Sequence, residues 1–166
     1  MTSEAHALRI HHLLCIPLFV GEGYSDAFSE NMTRIIRQLK ERERSSLRAI
    51  CAPDMICAGC PNLQKDGSCG NSKNNQVVQK DVRLAEALEI KIEERYTFQA
   101  LLHRAQEKLT KEIFDESCAK CEWYIQGLCS YEKWINSVKN KIIIKSKKSL
   151  LTESEKDDKK VSKKRE

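Results

Sequence analysis

The chain has 166 residues, of which 29 are basic, 24 acidic and 32% charged, with a net charge of +5. That length builds one modest core and not two independent ones; a mean hydropathy of −0.55 and a longest apolar stretch of only Leu13 to Val20 exclude a membrane-spanning helix. The N-terminus has no basic region followed by an apolar run and a cleavage site, so a reducing cytoplasm is expected, where the eight cysteines serve as metal ligands or redox groups and not as disulfides.

Residues Met1 to Ala7 carry no pattern and read as frayed. The following run, Leu8 to Val20, is the most apolar of the chain, and a helix from about His11 would place Cys15 on one face with His11 and His12. Pro17 ends or kinks that helix, and Gly21 and Gly23 mark a turn. Ser25 then caps a helix over about Asp26 to Arg42, with Phe28, Met32, Ile35, Ile36 and Leu39 as its apolar stripe. Leu47 to Cys51 reads as a brief strand or extended linker, and Cys51, before Pro53, as a small buried hydrophobe or a spare thiolate.

Asn71 or Ser72 caps a helix over about Asn74 to Glu89, with Val78, Val82, Ala85 and Leu88 inward. Thr97 caps the next, carrying Phe98, Leu101, Leu102, Ala105 and Leu109, with His103 at the surface. Thr110 caps a short turn, Lys111 to Glu116, and a final helix starts at Ser130 with Trp134, Ile135 and Val138 inside. Four or five helices with little strand signal predict an all-α bundle over residues 1–138. Ile142-Ile143-Ile144 is an apolar patch between lysines that would fold back on the core. Residues 139–166 hold eleven basic and five acidic side chains, leaving 18 and 19 in the body. The basicity therefore belongs to a tail that composition marks as disordered, so charge gives little support to a nucleic-acid partner beyond weak, non-specific contact there, with an electrostatic anchor to an acidic partner as the alternative role of the tail.

Two stretches of this chain read alike. Cys57-Ala58-Gly59-Cys60 leads through Gly67 to Cys69, and Cys118-Ala119-Lys120-Cys121 leads through Gly127 to Cys129. A C-x2-C turn lets two thiolates reach one metal centre, and a glycine two residues before the last cysteine lets the chain bend back with a third. Each stretch is a three-thiolate clamp in a loop at a helix end. Zinc is one candidate, held by the knuckles Cys57/Cys60 and Cys118/Cys121, but it leaves Cys15, Cys69 and Cys129 without a role. Three thiolates of a clamp plus Cys15 would instead complete a [4Fe–4S] cluster. The spacing is neither the bacterial ferredoxin run nor the C-x3-C-x2-C of radical S-adenosylmethionine enzymes. One cluster is the favoured count, with two open if Cys51 or a histidine is recruited.

The segments His11-His12-Leu13-Leu14-Cys15, Gly21-Glu22-Gly23-Tyr24-Ser25 with Phe28 and Glu30-Asn31-Met32, Pro53-Asp54-Met55-Ile56-Cys57, Cys121-Glu122-Trp123 and Gly127-Leu128-Cys129 together resemble a family of small bacterial and archaeal proteins, the domain of unknown function 1284. The resemblance spans roughly Leu8 to Ser137. That family is regarded as iron–sulfur binding, so the resemblance implies a cluster ahead of zinc, without implying a reaction or a ligand set; the Lys-rich tail is not part of its pattern.

Three functions follow. The first is a cluster protein whose centre passes electrons or senses redox state, with a protein or redox partner. The second is a structural Zn2+ or cluster site that staples a protein-interaction module. The third is an enzyme in which His11 or His12 is acid or base beside an open iron. The absence of a phosphate loop, carboxylate dyad or nucleophile–base pair from the sequence points away from the third. The expected ligands are Cys15, Cys57, Cys60, Cys69, Cys118, Cys121 and Cys129, with His11 and His12 as accessory groups.

Overall fold

The computed structural model describes residues 6–42, 44–71 and 75–140. Within them the architecture is mixed α/β and not the all-α bundle the sequence predicts. A three-stranded sheet of order β1-β2-β3 is built from β1 (Ala7–Arg9), β2 (Ser46–Ile50) and β3 (Arg95–Thr97). Around it stand α1 (His12–Cys15), α2 (Asp26–Glu41), α3 (Gln76–Ala87), α4 (Phe98–Lys108), α5 (Lys111–Cys118) and α6 (Glu122–Ile125), and a last helix, α7, over 131–140.

The central strand is the one with a readable pattern: Leu47 and Ala49 face the core while Ser46 and Arg48 face out. Its neighbours are three residues each, too short for a period of two to declare itself, and their ladder exists because β2 supplies the partner. β1 runs parallel to β2 with Leu8 opposite Ala49. β3 runs antiparallel, Leu47 opposite Tyr96. Ala7, read as frayed from sequence, is therefore part of the sheet.

The parallel pairing sends the chain from β1 through α1 and α2 before β2. At the end of β1 the Ile10 N–H donates to the Ile50 carbonyl at 3.0 Å, so the sheet aims the chain into α1. This helix stops at Cys15, and Pro17 sits in a 3-10 turn, Ile16–Leu18. α2 matches its expected cap and stripe: Ser25 Oγ accepts from Phe28 N, and Phe28, Met32, Ile35 and Leu39 are buried. Thr97 and Thr110 likewise accept from Ala100 N and Ile113 N at the starts of α4 and α5.

The predicted face of α3 is rotated in the structure. Val78 is exposed, and the buried side is Asp81, Leu84, Ala85 and Leu88. The residue before this helix is Asn75, at φ 59° and without a side-chain cap bond, so Asn71 is not its cap; Ser72 and Asn74 lie outside the described residues, as does Ile142-Ile143-Ile144. α7 closes the core over α1. Trp134 is fully buried and its Nε1 donates to the Leu13 carbonyl at 3.1 Å, while Ser137 Oγ donates to the Pro17 carbonyl at 2.7 Å.

Candidate metal centre

α1 carries the residues on which the two cysteine clamps converge. Its first turn is held from both sides by buried carboxylates. Asp81, from α3, accepts from Arg9 Nε at 2.6 Å and from His11 N at 3.0 Å, and meets His11 Nδ1 at 2.7 Å. Asp54 accepts from Arg9 N at 2.8 Å and meets His12 Nδ1 at 2.8 Å. A carboxylate can only accept, so Nδ1 of each ring is the donor, and on a neutral ring the lone pair is on Nε2. The two imidazoles lie edge to face with centroids 4.5 Å apart.

The electrostatics follow from burial. Burial alone would raise the Asp81 carboxyl, but His11 and then Arg9 outweigh it and hold it below the usual range. The same contest, won by His12 and the N–H donors of Arg9 and Cys57, lowers Asp54. Burial, with Lys80 and His12 adding repulsion, pushes His11 down to about 3 despite Asp81. The Arg9 guanidinium is desolvated, yet Asp81 raises its pKa above the ordinary value. Arg9, Asp54 and Asp81 escaped the sequence reading. Asp54 stood inside the Pro53-to-Cys57 motif, three residues before a clamp, which is the signal that could have found it.

One turn after His11, Cys15 meets the second clamp. The thiols of Cys118, Cys121 and Cys129 all lie near enough to Cys15 to act on its ionisation, and Cys121 and Cys129 act on that of Cys118. Burial is the main reason that Cys15 is raised well above the usual thiol value, and the three clamp sulfurs add to it against an opposing Lys80. Burial likewise takes Cys118 up to about 12 and, with Cys121, raises Cys129. Cys15, Cys118 and Cys129 are thus held toward the neutral thiol, and a bound metal cation reverses that penalty. Cys118 ends α5 and Cys121 precedes α6, and the Cys121 N–H donates to the Cys118 carbonyl at 2.8 Å to close the C-x2-C turn. Cys15 and Cys129 line one surface cleft with Phe19, Trp123 and Leu128. Tyr24 stacks on Trp123 at 5.2 Å, and its hydroxyl lies near Cys121, Cys15 and Cys60.

The first clamp is built alike. Cys60 N donates to the Cys57 carbonyl at 2.9 Å, the same turn as in the second clamp. Asp54 Oδ1 accepts from Ile56 N and Cys57 N, and Asn31 Nδ2 from α2 donates to the carbonyls of Met55 and Ile56. Gly59 is packed so closely on Asn31 that an added Cβ would stand 2.7 Å from the Asn31 Cβ. Cys57 Sγ, a His12 ring nitrogen and an Asp54 oxygen all lie within 4.8 Å of one another. Cys69 returns opposite Leu63 in an isolated antiparallel bridge. In both clamps the glycine two residues before the last cysteine has the expected left-handed backbone, Gly67 at φ 80° and Gly127 at φ 76°. Cys51 packs half-buried against the core; burial, then Asp81, pushes its thiol up to about 11.

Of the seven cysteines expected as ligands, Cys15 comes close to the second clamp, Cys57 lies beside His12 and Asp54, and Cys60 shares the neighbourhood of the Tyr24 hydroxyl with Cys15 and Cys121. By class this is a cysteine-rich α/β domain whose clustered side chains have the chemistry of metal ligands. The chain belongs to the family described as a protein of unknown function, DUF1284, whose model matches residues 23–129. The matched span holds both clamps and begins after α1. No curated protein matches the chain, and no solved structure does. Among the described residues no helix is long and apolar enough to cross a membrane.

Proposed function

We propose that the protein binds a [4Fe–4S] cluster through Cys15, Cys118, Cys121 and Cys129 and uses it in electron transfer or redox sensing. The observation that supports this reading is that Cys15 and Cys129, more than a hundred residues apart, line one cleft, with Cys118 and Cys121 near enough to act on the Cys15 thiol. Size favours a cluster over a single zinc. Zinc–sulfur bonds of ~2.3 Å put tetrahedral sulfurs about 3.8 Å apart. Among the described residues, no three of these four sulfurs lie within 4.8 Å of one another. A cubane spreads its thiolates more widely, because each binds a different iron corner. Position supports redox work, since the pocket opens at a surface cleft bordered by Trp123 and Phe19. Burial and neighbouring charge set a cluster's potential, and Lys80 faces Cys15 and Cys118.

The test is anaerobic purification with iron and sulfide analysis. About four irons and four sulfides per chain, with visible absorption that bleaches on reduction, are expected. Cys15→Ser and Cys121→Ser should each lose the chromophore. A colourless chain with tightly held zinc in the four-thiol pocket would overturn the cluster and leave the stapling reading. That second reading has its own support: Cys15 and the second clamp tie α1 to α5 and α6, so binding there becomes folding free energy. Loss of helicity on metal removal distinguishes it from a redox role.

A further inference from the structure

The cleft that exposes Cys15 and Cys129 has apolar walls, formed by Leu18, Phe19, Val20, Trp123 and Leu128. Val20 is 73% exposed, so among the described residues little covers this wall. Glu22 is the charged member of the lining, exposed and without an ion pair among the described residues. Lys133, near Leu128, does not neutralise it, because its Nζ is committed to the carbonyls of Gly127 and Leu128. α7 leads past this cleft. It begins just after Cys129, meets the Leu13 carbonyl through Trp134 and the Pro17 carbonyl through Ser137, and so advances alongside α1. Its end, at residue 140, comes three residues after the contact with Pro17, and Pro17 is itself followed by the Leu18–Val20 wall.

We infer that Ile142-Ile143-Ile144, the segment that follows α7, docks in this cleft and covers Cys15 and Cys129. The length of chain allows it. Three helical residues and three extended ones carry Ile143 up to about 15 Å from Ser137, which spans the distance from Pro17 to Val20. The spacing agrees, because Ile142 falls at the next interval of four after the buried Trp134 and Val138. The chemistry is complementary on both counts. Three consecutive isoleucines match an apolar wall, and the five lysines from Lys139 to Lys148, with no acid among them, match the unpaired Glu22. A tether this short also gives the segment an effective concentration of roughly millimolar, an advantage that no separate partner has. Covering the cleft shields the two sulfurs from solvent and oxidants, and it makes exposure of the pocket a property that the tail controls. The device is this chain's own, since the family match ends at residue 129. It does not depend on which metal the thiols hold.

The experiment replaces Ile143 with the photoreactive p-benzoylphenylalanine in the full chain, irradiates it at low protein concentration and maps the cross-linked peptides by mass spectrometry. Cross-links within one chain to residues 18–22 or to Trp123 are expected, and Glu22→Lys should lower their yield. A second reading needs no probe. Trp134 is fully buried, so acrylamide quenching follows Trp123, the other of the two tryptophans. Ile142→Ser, Ile143→Ser and Ile144→Ser together should raise the quenching constant and shift the Trp123 emission to the red, at equal metal loading and with far-UV dichroism unchanged. Cross-links that join two chains would show a second copy in the cleft and overturn the inference. Cross-links confined to other parts of the same chain, or quenching indifferent to the three serines, would overturn it as well.

Discussion

Replacing Asp81 with Asn tests whether the α1 segment is held from the inside. Asp81 is fully buried, and Arg9, which it neutralises, is 1% exposed. The substitution keeps the volume and one acceptor oxygen but leaves the Arg9 guanidinium as an uncompensated buried charge. Breaking a buried pair in this way costs about 3–5 kcal/mol, a large part of the roughly 5–15 kcal/mol that holds a domain together. With a urea m-value of about 2 kcal/mol per molar, the unfolding midpoint should fall by roughly 2 M at equal metal loading. Adding Arg9→Gln removes the stranded charge, so the double variant should lose clearly less than the sum of the singles, by about 1–3 kcal/mol. The carboxylate also sets an acid limb. Its folded pKa is depressed, so its stabilisation is complete above the unfolded value of ~3.9 and is lost as pH falls through the lower, folded one. A single-variant loss under about 1 kcal/mol, or strict additivity in the double variant, would refute the reasoning.

His11 gives a second pH dependence, because its pKa drops from 6.5 to about 3 on folding. The neutral ring is favoured in the fold, so stability should decline below pH 6.5 by up to ~1.4 kcal/mol per unit, and His11→Gln should flatten that limb in urea titrations. Gly127 has φ 76° with no heavy atom within 4 Å of an added Cβ. Gly127→Ala should therefore cost about 1–2 kcal/mol through backbone strain alone, and Gly67→Ala, at φ 80°, a similar amount in calorimetry. Trp134→Ala should cost about 3–5 kcal/mol, whereas Trp134→Phe should lose chiefly the bond to Leu13 O, about 1 kcal/mol net. Equal losses from the two Trp134 variants would show that the ring's bulk is not what α7 contributes.

The local devices were legible in the sequence because their signals lie within a few residues. Ser25, Thr97 and Thr110 cap the helices they were expected to cap, and Gly67 and Gly127 adopt the turn conformation that a returning cysteine requires. Cys15 stood out because it shares a helical face with His11 and His12, and it does lie near a clamp. The sheet was hidden for the opposite reason. β1 and β3 are defined by partners forty or more residues away, and three residues show no period. Asp81 was hidden more deeply: an acid between two valine-bearing turns reads as solvent-facing, and its partners Arg9 and His11 are 72 and 70 positions distant. Choosing Val78 and Val82 as the inner face of α3 followed from that misreading, since the helix turns its acid inward to meet a buried base.

α1 is where these long-range contacts meet, and its brevity explains why so many are needed. A four-residue helix has no stability of its own, because the cost of nucleation is spread over too few hydrogen bonds. It is fixed instead by the β1–β2 ladder before it, by Asp81 and Asp54 at its histidines, and by Trp134 and Ser137 gripping the carbonyls of Leu13 and Pro17. None of those contacts involves a cysteine. The backbone that presents His12 and Cys15 is therefore set by carboxylates and core packing rather than by thiol chemistry, so both side chains are positioned in advance of any partner. The clamps differ in this respect: each is a short turn with few buried side chains, and most of the ordering that a bound metal could add belongs to them.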